Sequence, residues 1–258
     1  MKTKKIRANN IFILFAMFFL SFLKIGLAFN TEQTSAFNRA NVYYEQVNYD
    51  EAIKEYESIL GAGWESGNLY YNLGNCYFKK GQLGMAIFYY EKSKRLIPLD
   101  RDLESNYAYA CSLIKGQNVS LQRGFLSRVL NNLFGKFTLD GLTVLLSALY
   151  ILILIAILTG FMFRPFKKQA LIIAAAIGVF FIAGFTGLTE KIAILNKEGV
   201  VVVAQADARF EPMDKATVYF TLSEGAKVEI ISSKDNWYKI KRQDNKIGWI
   251  QKSALSIF

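Results

Sequence analysis

Apolar residues are concentrated in three uncharged stretches of the chain, Ile11–Phe22, Gly141–Phe163 and Ala170–Leu188. At 1.5 Å per residue, a helix over the second stretch is about 34 Å long and a helix over the third is about 28 Å long. The hydrocarbon core of a membrane is roughly 30 Å thick. The pattern therefore predicts transmembrane helices at 141–163 and 170–188, joined by a loop at 164–169.

The first apolar stretch has the features of a secretory signal. It follows a basic start and is followed by small residues, which predicts a signal peptide at 1–28 that is cleaved after Ala28. An uncleaved anchor is the alternative, because Lys24 lies late in the segment. The loop at 164–169 is basic, and basic short loops mark the cytoplasmic side of a membrane. Both features place the segments before and after the hairpin on the outer side.

A 34-residue period relates residues 33–66 to residues 67–100. A shift of 34 aligns four small or aromatic pairs: Ala40 with Gly74, Tyr43 with Tyr77, Ala52 with Ala86, and Tyr56 with Tyr90. This period is typical of tetratricopeptide repeats, which are helical hairpins with small residues where the helices touch. The prediction is an all-α repeat solenoid at 29–116, with residues 101–116 as a capping helix. Two repeats are fewer than the usual three, so we expect the amphipathic helix that follows at 117–138, or a partner, to complete the stack.

Residues 117–138 alternate apolar and polar positions at helical spacing. The apolar positions are Phe125, Leu126, Val129, Leu130, Leu133, Phe134 and Phe137. The pattern predicts an amphipathic juxtamembrane helix that lies in the outer headgroup layer. Packing against the preceding helical domain is the alternative.

Asparagine also recurs with the 34-residue period. The recurring positions are Asn38, Asn72 and Asn106 in one series and Asn41 and Asn75 in another. Asparagine is a poor helix former, and its amide both donates and accepts hydrogen bonds. We therefore predict that these side chains hold a peptide backbone in the concave groove of the repeats; coincidental spacing is the alternative.

The repeat also resembles tetratricopeptide domains that clamp a terminal carboxylate. Asn41 and Asn72 match two polar clamp positions of those domains. The basic clamp positions are occupied by Phe37, Asp102 and Asn106. The resemblance therefore implies backbone recognition without carboxylate recognition.

From residue 197 to residue 258 the chain alternates apolar and polar residues in short runs separated by turn signals, which predicts a small all-β barrel. The order "EGAKVEII", "NWYKI", "KIGWI" resembles the bacterial SH3-like domain. That resemblance implies binding of cell-wall peptides or proteins in an aromatic-lined groove. Trp237, Tyr238 and Trp249 are the candidate aromatic residues, and core packing is the alternative role for the two tryptophans.

Composition narrows the chemistry. The chain has no histidine and only two cysteines, so we expect no metal site, no cofactor and no catalytic constellation. The carboxylates of Glu45, Asp102 and Glu104 have no convincing catalytic partner in the sequence. Cys76 and Cys111 are expected to be buried thiols, with a disulfide as the alternative. The sequence therefore predicts a protein that is not an enzyme.

The formal net charge of +10 does not indicate a nucleic-acid partner. Residues 1–28 carry five basic side chains and no acid, and residues 116–196 carry seven basic and two acidic side chains. The excess therefore lies in the signal and beside the membrane spans. The folded segments are close to neutral, with a net charge of −2 for residues 29–115 and +2 for residues 197–258, and we expect no nucleic acid as a partner.

The order of these segments is similar to that of BatE-like proteins of bacterial aerotolerance operons. The resemblance implies a multi-domain membrane protein of the bacterial inner membrane, with both folded domains on the periplasmic side. It also implies a non-enzymatic scaffold that works with von Willebrand-A-domain membrane proteins and a MoxR-type ATPase. The alternative is a tether that binds peptidoglycan through the SH3-like domain.

Overall fold

The computed structural model of the protein describes residues 32–114, 129, 133–195 and 197–258. The predicted signal peptide at 1–28 and most of the predicted juxtamembrane helix at 117–138 lie outside the described residues. The chain forms two compact units, Met1–Glu65 and Ser66–Phe258.

The described part of the first unit is one helical hairpin. Helix α1 covers residues 32–45 and helix α2 covers Tyr49–Gly61. Ala40 and Ala52 are fully buried, as expected where two helices approach closely. The ring of Phe37 lies 5.5 Å from that of Tyr56, edge to face, and closes the hairpin.

The second unit begins with three helices, α3 at Gly67–Lys79, α4 at Leu83–Leu96 and α5 at Arg101–Ser112. The side chains of Ser66 and Asp100 cap α3 and α5 by accepting hydrogen bonds from backbone N–H groups of their first turns. Gly74 lies against the ring of Tyr90, where an added Cβ would come within 2.5 Å of the ring carbons. The small residue is therefore required for α3 and α4 to pack.

Two long apolar helices follow, α6 at Leu139–Met162 and α7 at Lys167–Ile194, joined by a short 3₁₀ turn. Their mean hydropathies are 2.7 and 2.4, and both are long and apolar enough to cross a membrane. They pack as a hairpin through small residues, with Gly160 against Ala170 and Gly184 against Leu146. Helix α7 continues to Ile194, so its last residues extend past the uncharged stretch.

The C-terminal part is an antiparallel sheet of seven strands in the order β3-β2-β6-β5-β4-β1-β7. The strands are β1 Glu198–Val201, β2 Gln205–Arg209, β3 Val218–Ser223, β4 Lys227–Lys234, β5 Trp237–Lys241, β6 Ile247–Gln251 and β7 Leu255–Ile257. All seven strands contribute to one apolar core, including Val201, Phe220 and Ile240. The sheet therefore curls around this core.

Both cysteines lie in the repeat region of the second unit and are free thiols. Cys76 is fully buried in α3, and this burial raises the pKa of its thiol to about 12. Cys111 is half-buried in α5, and burial also raises its pKa. A thiol held in its protonated form is a poor nucleophile, so both side chains act as packing residues in this structure.

Candidate protein-interaction surfaces

The first unit uses one of its two candidate asparagines internally. The Tyr56 hydroxyl donates a hydrogen bond of 2.5 Å to Asn41 Oδ1, which joins α2 to α1. Asn38 lies one turn earlier on α1 and is exposed. Within this hairpin, Asn41 therefore supports the packing of a buried tyrosine.

The second unit repeats this contact 34 residues later. The Tyr90 hydroxyl donates a hydrogen bond of 2.7 Å to Asn75 Oδ1, which joins α4 to α3. Tyr90 is almost completely buried, so its hydroxyl needs a partner within the protein. The recurrence of asparagine at 41 and 75 thus has a structural cause that periodicity alone does not reveal.

Asn106 extends the contact to the third helix of the unit. Its Nδ2 donates to Tyr71 Oη at 2.8 Å and to Asn75 Oδ1 at 3.1 Å. Tyr90, Asn75, Asn106 and Tyr71 therefore form a polar ladder across α4, α3 and α5. Asn72 is half-buried one turn before Asn75 on α3. The structure brings Asn75 and Asn106 together, while Asn38 and Asn41 belong to the first unit.

A cleft of about 460 Å³ opens on the SH3-like sheet. Its lining comes from β2, the start of β5, the end of β6 and the turns beside them: Val203, Gln205, Ala206, Asp207, Arg209, Trp237, Ile250, Gln251, Ser253 and Ala254. Its polar lining side chains carry two amides, one hydroxyl and one pair of opposite charges. The cleft therefore offers several hydrogen-bonding groups beside an indole.

Two polar contacts hold the long loop between β2 and β3 against this cleft. Arg209 Nη1 donates to the carbonyl oxygen of Ala216 at 2.6 Å, and its Nη2 lies 3.6 Å from Asp207 Oδ2. Gln251 Nε2 donates to Asp214 Oδ1 at 2.8 Å, which ties the loop to β6. The loop beside the cleft is thus fixed by hydrogen bonds from two side chains that line the cleft.

The three candidate aromatic residues of the SH3-like domain occupy different positions. Trp237 lines the cleft and is 7% exposed. Tyr238 packs against the core of the sheet, with Lys252 Nζ 5.1 Å from its ring centre. Trp249 lies opposite Arg209 and Lys239 in the neighbouring strands and is half-buried. Trp237 is therefore the one of the three that lines the cleft.

An exposed aromatic pair was not anticipated from the sequence. The rings of Phe210 and Tyr219 lie 4.5 Å apart where the loop leaves β2 and enters β3, and they are 58% and 42% exposed. Met213 of the same loop is also exposed. The available signal was the segment "RFEPM", in which apolar residues interrupt the alternation of apolar and polar positions.

No cluster of three or more histidine, cysteine, aspartate or glutamate side chains in the described ranges could hold a metal ion. The candidate surfaces in these ranges offer a partner amides, hydroxyls, aromatic rings and paired charges.

Two parts of the chain match known domain families. Residues 67–98, which contain α3 and α4, match the tetratricopeptide repeat, and residues 205–256, which run from β2 into β7, match the bacterial SH3 domain. No curated protein matches the chain. These matches confirm both predicted domain classes and support a role in protein interaction or cell-wall binding. The chain thus combines a tetratricopeptide repeat with a bacterial SH3 domain.

Proposed function

We propose that the protein is a non-enzymatic membrane scaffold. Its repeat and SH3-like domains hold partner proteins on the outer side of a bacterial inner membrane, and α6 and α7 anchor them there. The observation that carries this proposal is the presence of two interaction domains on one chain with a hairpin of membrane-spanning length. Each of the two domains also has a surface suited to a polypeptide.

The cleft beside Trp237 is the surface proposed for the SH3-like domain. A buried indole with amide groups around it suits an extended peptide, because the ring packs against a side chain while the amides pair with the backbone. Gln205 and Gln251 lie on this lining, as does the Arg209–Asp207 pair. The mixed charge favours a partner without a strong net charge in the bound segment.

The polar ladder is the surface proposed for the repeat. Asn106 uses its Nδ2 for Tyr71 and Asn75, which fixes the direction of its Oδ1. Asn106 is only half-buried, so this oxygen is positioned to accept from a peptide N–H. Asn75 contributes by holding Tyr90 beside it.

The proposed partners are von Willebrand-A-domain membrane proteins of an aerotolerance complex. This choice rests on the similarity of the segment order to BatE-like proteins. Such partners are themselves anchored in the membrane, and a scaffold in the same bilayer meets them at a high effective concentration.

Affinity purification from gently solubilised membranes, followed by mass spectrometry, tests the scaffold. Trp237→Ala removes the cleft aromatic, and Trp249→Ala is its matched control on the neighbouring strand. Asn106→Ala removes the proposed acceptor of the repeat, and a partner that binds at the polar ladder should be lost with this variant. We expect membrane protein partners with the wild type and with Trp249→Ala, and at least one of them to be lost with Trp237→Ala. Equal recovery with both tryptophan variants would contradict the role of the cleft.

A cell-wall tether is the second candidate function. It is favoured by the match to the bacterial SH3 domain and by the polar lining of the cleft. Sedimentation of the detergent-solubilised protein with purified peptidoglycan distinguishes the two. Binding that Trp237→Ala abolishes would support the tether, and no sedimentation would leave the scaffold as the better account.

A further inference from the structure

The repeat and the SH3-like domain share an apolar core. The buried residues of this core come from α4, α5, β1 and the last residue of the chain: Ala86, Ile87, Tyr90, Leu103, Ala110, Val200 and Phe258. Phe258 is 4% exposed, and its ring meets Phe88 edge to face at 6.4 Å. Val200 and Phe258 both lie outside the segment that matches the bacterial SH3 domain. These two residues flank the matched SH3 segment in the sequence, and both of them contact the repeat.

The backbones of the repeat and the SH3-like domain also approach each other closely. The backbone N–H of Gly84, at the start of α4, donates to Glu224 Oε1 at 2.8 Å. A Cβ on Gly84 would lie 2.4 Å from the carbonyl oxygen of Val201, so only glycine fits there. Gly225 has a φ of +82°, and a Cβ on it would lie 2.8 Å from Ile87 Cδ1. The turn between β3 and β4 therefore rests directly on α4.

Charged groups pair across the same contact. Lys227 of β4 lies 2.5 Å from the carboxylate of the buried Glu91 in α4, and the Tyr107 hydroxyl of α5 donates to that carboxylate. Arg95 of α4 lies 4.0 Å from Glu198 of β1, and its guanidinium lies 4.8 Å from the ring centre of Phe258. Each of these charged side chains therefore has a partner on the other part of the molecule, so the ion pairs hold the two parts together.

Helix α5 explains why such a contact is needed. It follows α4 in the position that the first helix of another repeat would take. A solenoid end exposes apolar surface unless a cap covers it. Here β1 and Phe258 cover α4 and α5. We infer that the SH3-like domain is the C-terminal cap of the repeat helices α3 to α5, so that these helices and the SH3-like domain fold as one cooperative unit.

This assignment changes what each domain offers to a partner. The outer face of α4 is covered by the chain's own C-terminus and does not bind another protein. The polar ladder and the Trp237 cleft are held at a fixed separation. A partner that engages both sites therefore binds without the entropy loss of ordering a flexible linker. The C-terminal residue is a structural part of the repeat.

Hydrogen exchange on the full-length protein in nanodiscs tests the cap. Phe258→Ala removes the anchor, and Phe210→Ala is the matched control because Phe210 is an exposed phenylalanine of the same domain. We expect exchange in α4 and α5 to accelerate about tenfold or more with Phe258→Ala, and to be unchanged with Phe210→Ala. Faster exchange confined to β7, with α4 and α5 unaffected, would overturn the assignment.

An engineered cross-link provides a test that does not depend on a destabilised variant. Ser256 Oγ lies 3.9 Å from Met85 Sδ across the contact. We expect a short bis-maleimide reagent, which spans the two extra bonds of the methionine side chain, to join the cysteines of Met85→Cys/Ser256→Cys, as identified by peptide mapping, and to slow exchange in both α4 and β7. Met85→Cys alone controls for pairing with the native thiols. No cross-link in the double variant, or a cross-link that accelerates exchange, would contradict the cap.

Discussion

At the scale of single residues, the 34-residue period also aligns the two turns of the helical hairpins. Gly81 in the second hairpin and Val47 in the first both adopt the left-handed backbone conformation, with φ of +74° and +63°. Glycine adopts this conformation readily, whereas a β-branched residue is strained in it. The first hairpin therefore carries backbone strain that the second avoids.

Val47→Gly should relieve this strain. Val47 is 66% exposed, so the change removes little buried apolar area. We expect the free energy of unfolding of the first unit to rise by about 1 kcal/mol. The measurement is hydrogen exchange of α1 and α2 in the full-length protein.

The reciprocal change, Gly81→Val, is the control. It introduces the same strain into the second hairpin and should accelerate exchange in α3 and α4. If Val47→Gly left exchange unchanged or made it faster, the strain at this turn would not limit the stability of the hairpin.

At the scale of elements, the asparagines of the repeat serve two different purposes. Asn75 accepts from the buried Tyr90 hydroxyl and from Asn106, so it holds three helices together. Asn38 is exposed on α1. Their recurrence in the sequence does not separate these roles, because the deciding contact is with a residue 15 positions away on another helix.

Asn75→Leu should destabilise the repeat by about 1–3 kcal/mol, because it removes the oxygen that accepts hydrogen bonds from the buried Tyr90 hydroxyl and from Asn106. Asn38→Ala should change stability by less than about 0.5 kcal/mol, as is usual for an exposed position. Circular dichroism during denaturation in detergent measures both. A near-neutral effect of Asn75→Leu would show that the ladder does not support the helices and would favour a direct binding role.

The buried ion pair between α4 and β4 makes the cap sensitive to pH. Burial disfavours the charged form of Glu91, but the charge of Lys227 and the hydrogen bonds from Lys227 and Tyr107 outweigh it, and the pKa of Glu91 is lowered. Burial likewise disfavours the charge of Lys227, but Glu91 outweighs it, and the pKa of Lys227 is raised. The pair therefore stabilises the contact between the ordinary pKa values of 4.5 and 10.5.

We expect this stabilisation to be lost as pH falls through the lowered pKa of Glu91, and at high pH as it rises through the raised pKa of Lys227. Glu91→Gln should cost about 3–5 kcal/mol at neutral pH because Lys227 stays buried and unpaired. The double variant Glu91→Gln/Lys227→Met should recover most of that loss, and the stability of its contact should no longer fall at acidic pH. Exchange of α4 measured from about pH 2 to pH 7, corrected for the intrinsic pH dependence of exchange, would contradict the account if the double variant kept the wild-type acid dependence.

At the scale of the whole molecule, local patterns predicted the elements, whereas long-range contacts were not predictable. The period of 34, the two long uncharged stretches after residue 140 and the alternation after residue 197 are each visible within a segment of the chain, and they correspond to the helical hairpins, the two apolar helices and the sheet. Glu91 and Lys227 are 136 positions apart, and nothing near either one marks it as a partner of the other. The shared core around Phe258 is hidden from sequence analysis for the same reason.

The candidate sites show the same division. The sequence identifies Trp237 as an aromatic residue of the SH3-like domain. Whether it lines the cleft or the core depends on how β2 and β6 pair and on the loop that Arg209 and Gln251 hold. The exposed pair of Phe210 and Tyr219 was missed because a loop residue's burial depends on its distant neighbours. Whether a residue lies on a groove is decided by tertiary packing.

The most direct test of the scaffold is photo-crosslinking in living cells. A photoreactive amino acid replaces Gln205, which lies in the cleft, or Ser233, which is exposed on β4 and is not part of the cleft lining. The account predicts that the probe at Gln205 captures one membrane-anchored protein and that the probe at Ser233 does not. Capture of peptidoglycan fragments alone at Gln205, or the same products from both positions, would contradict it.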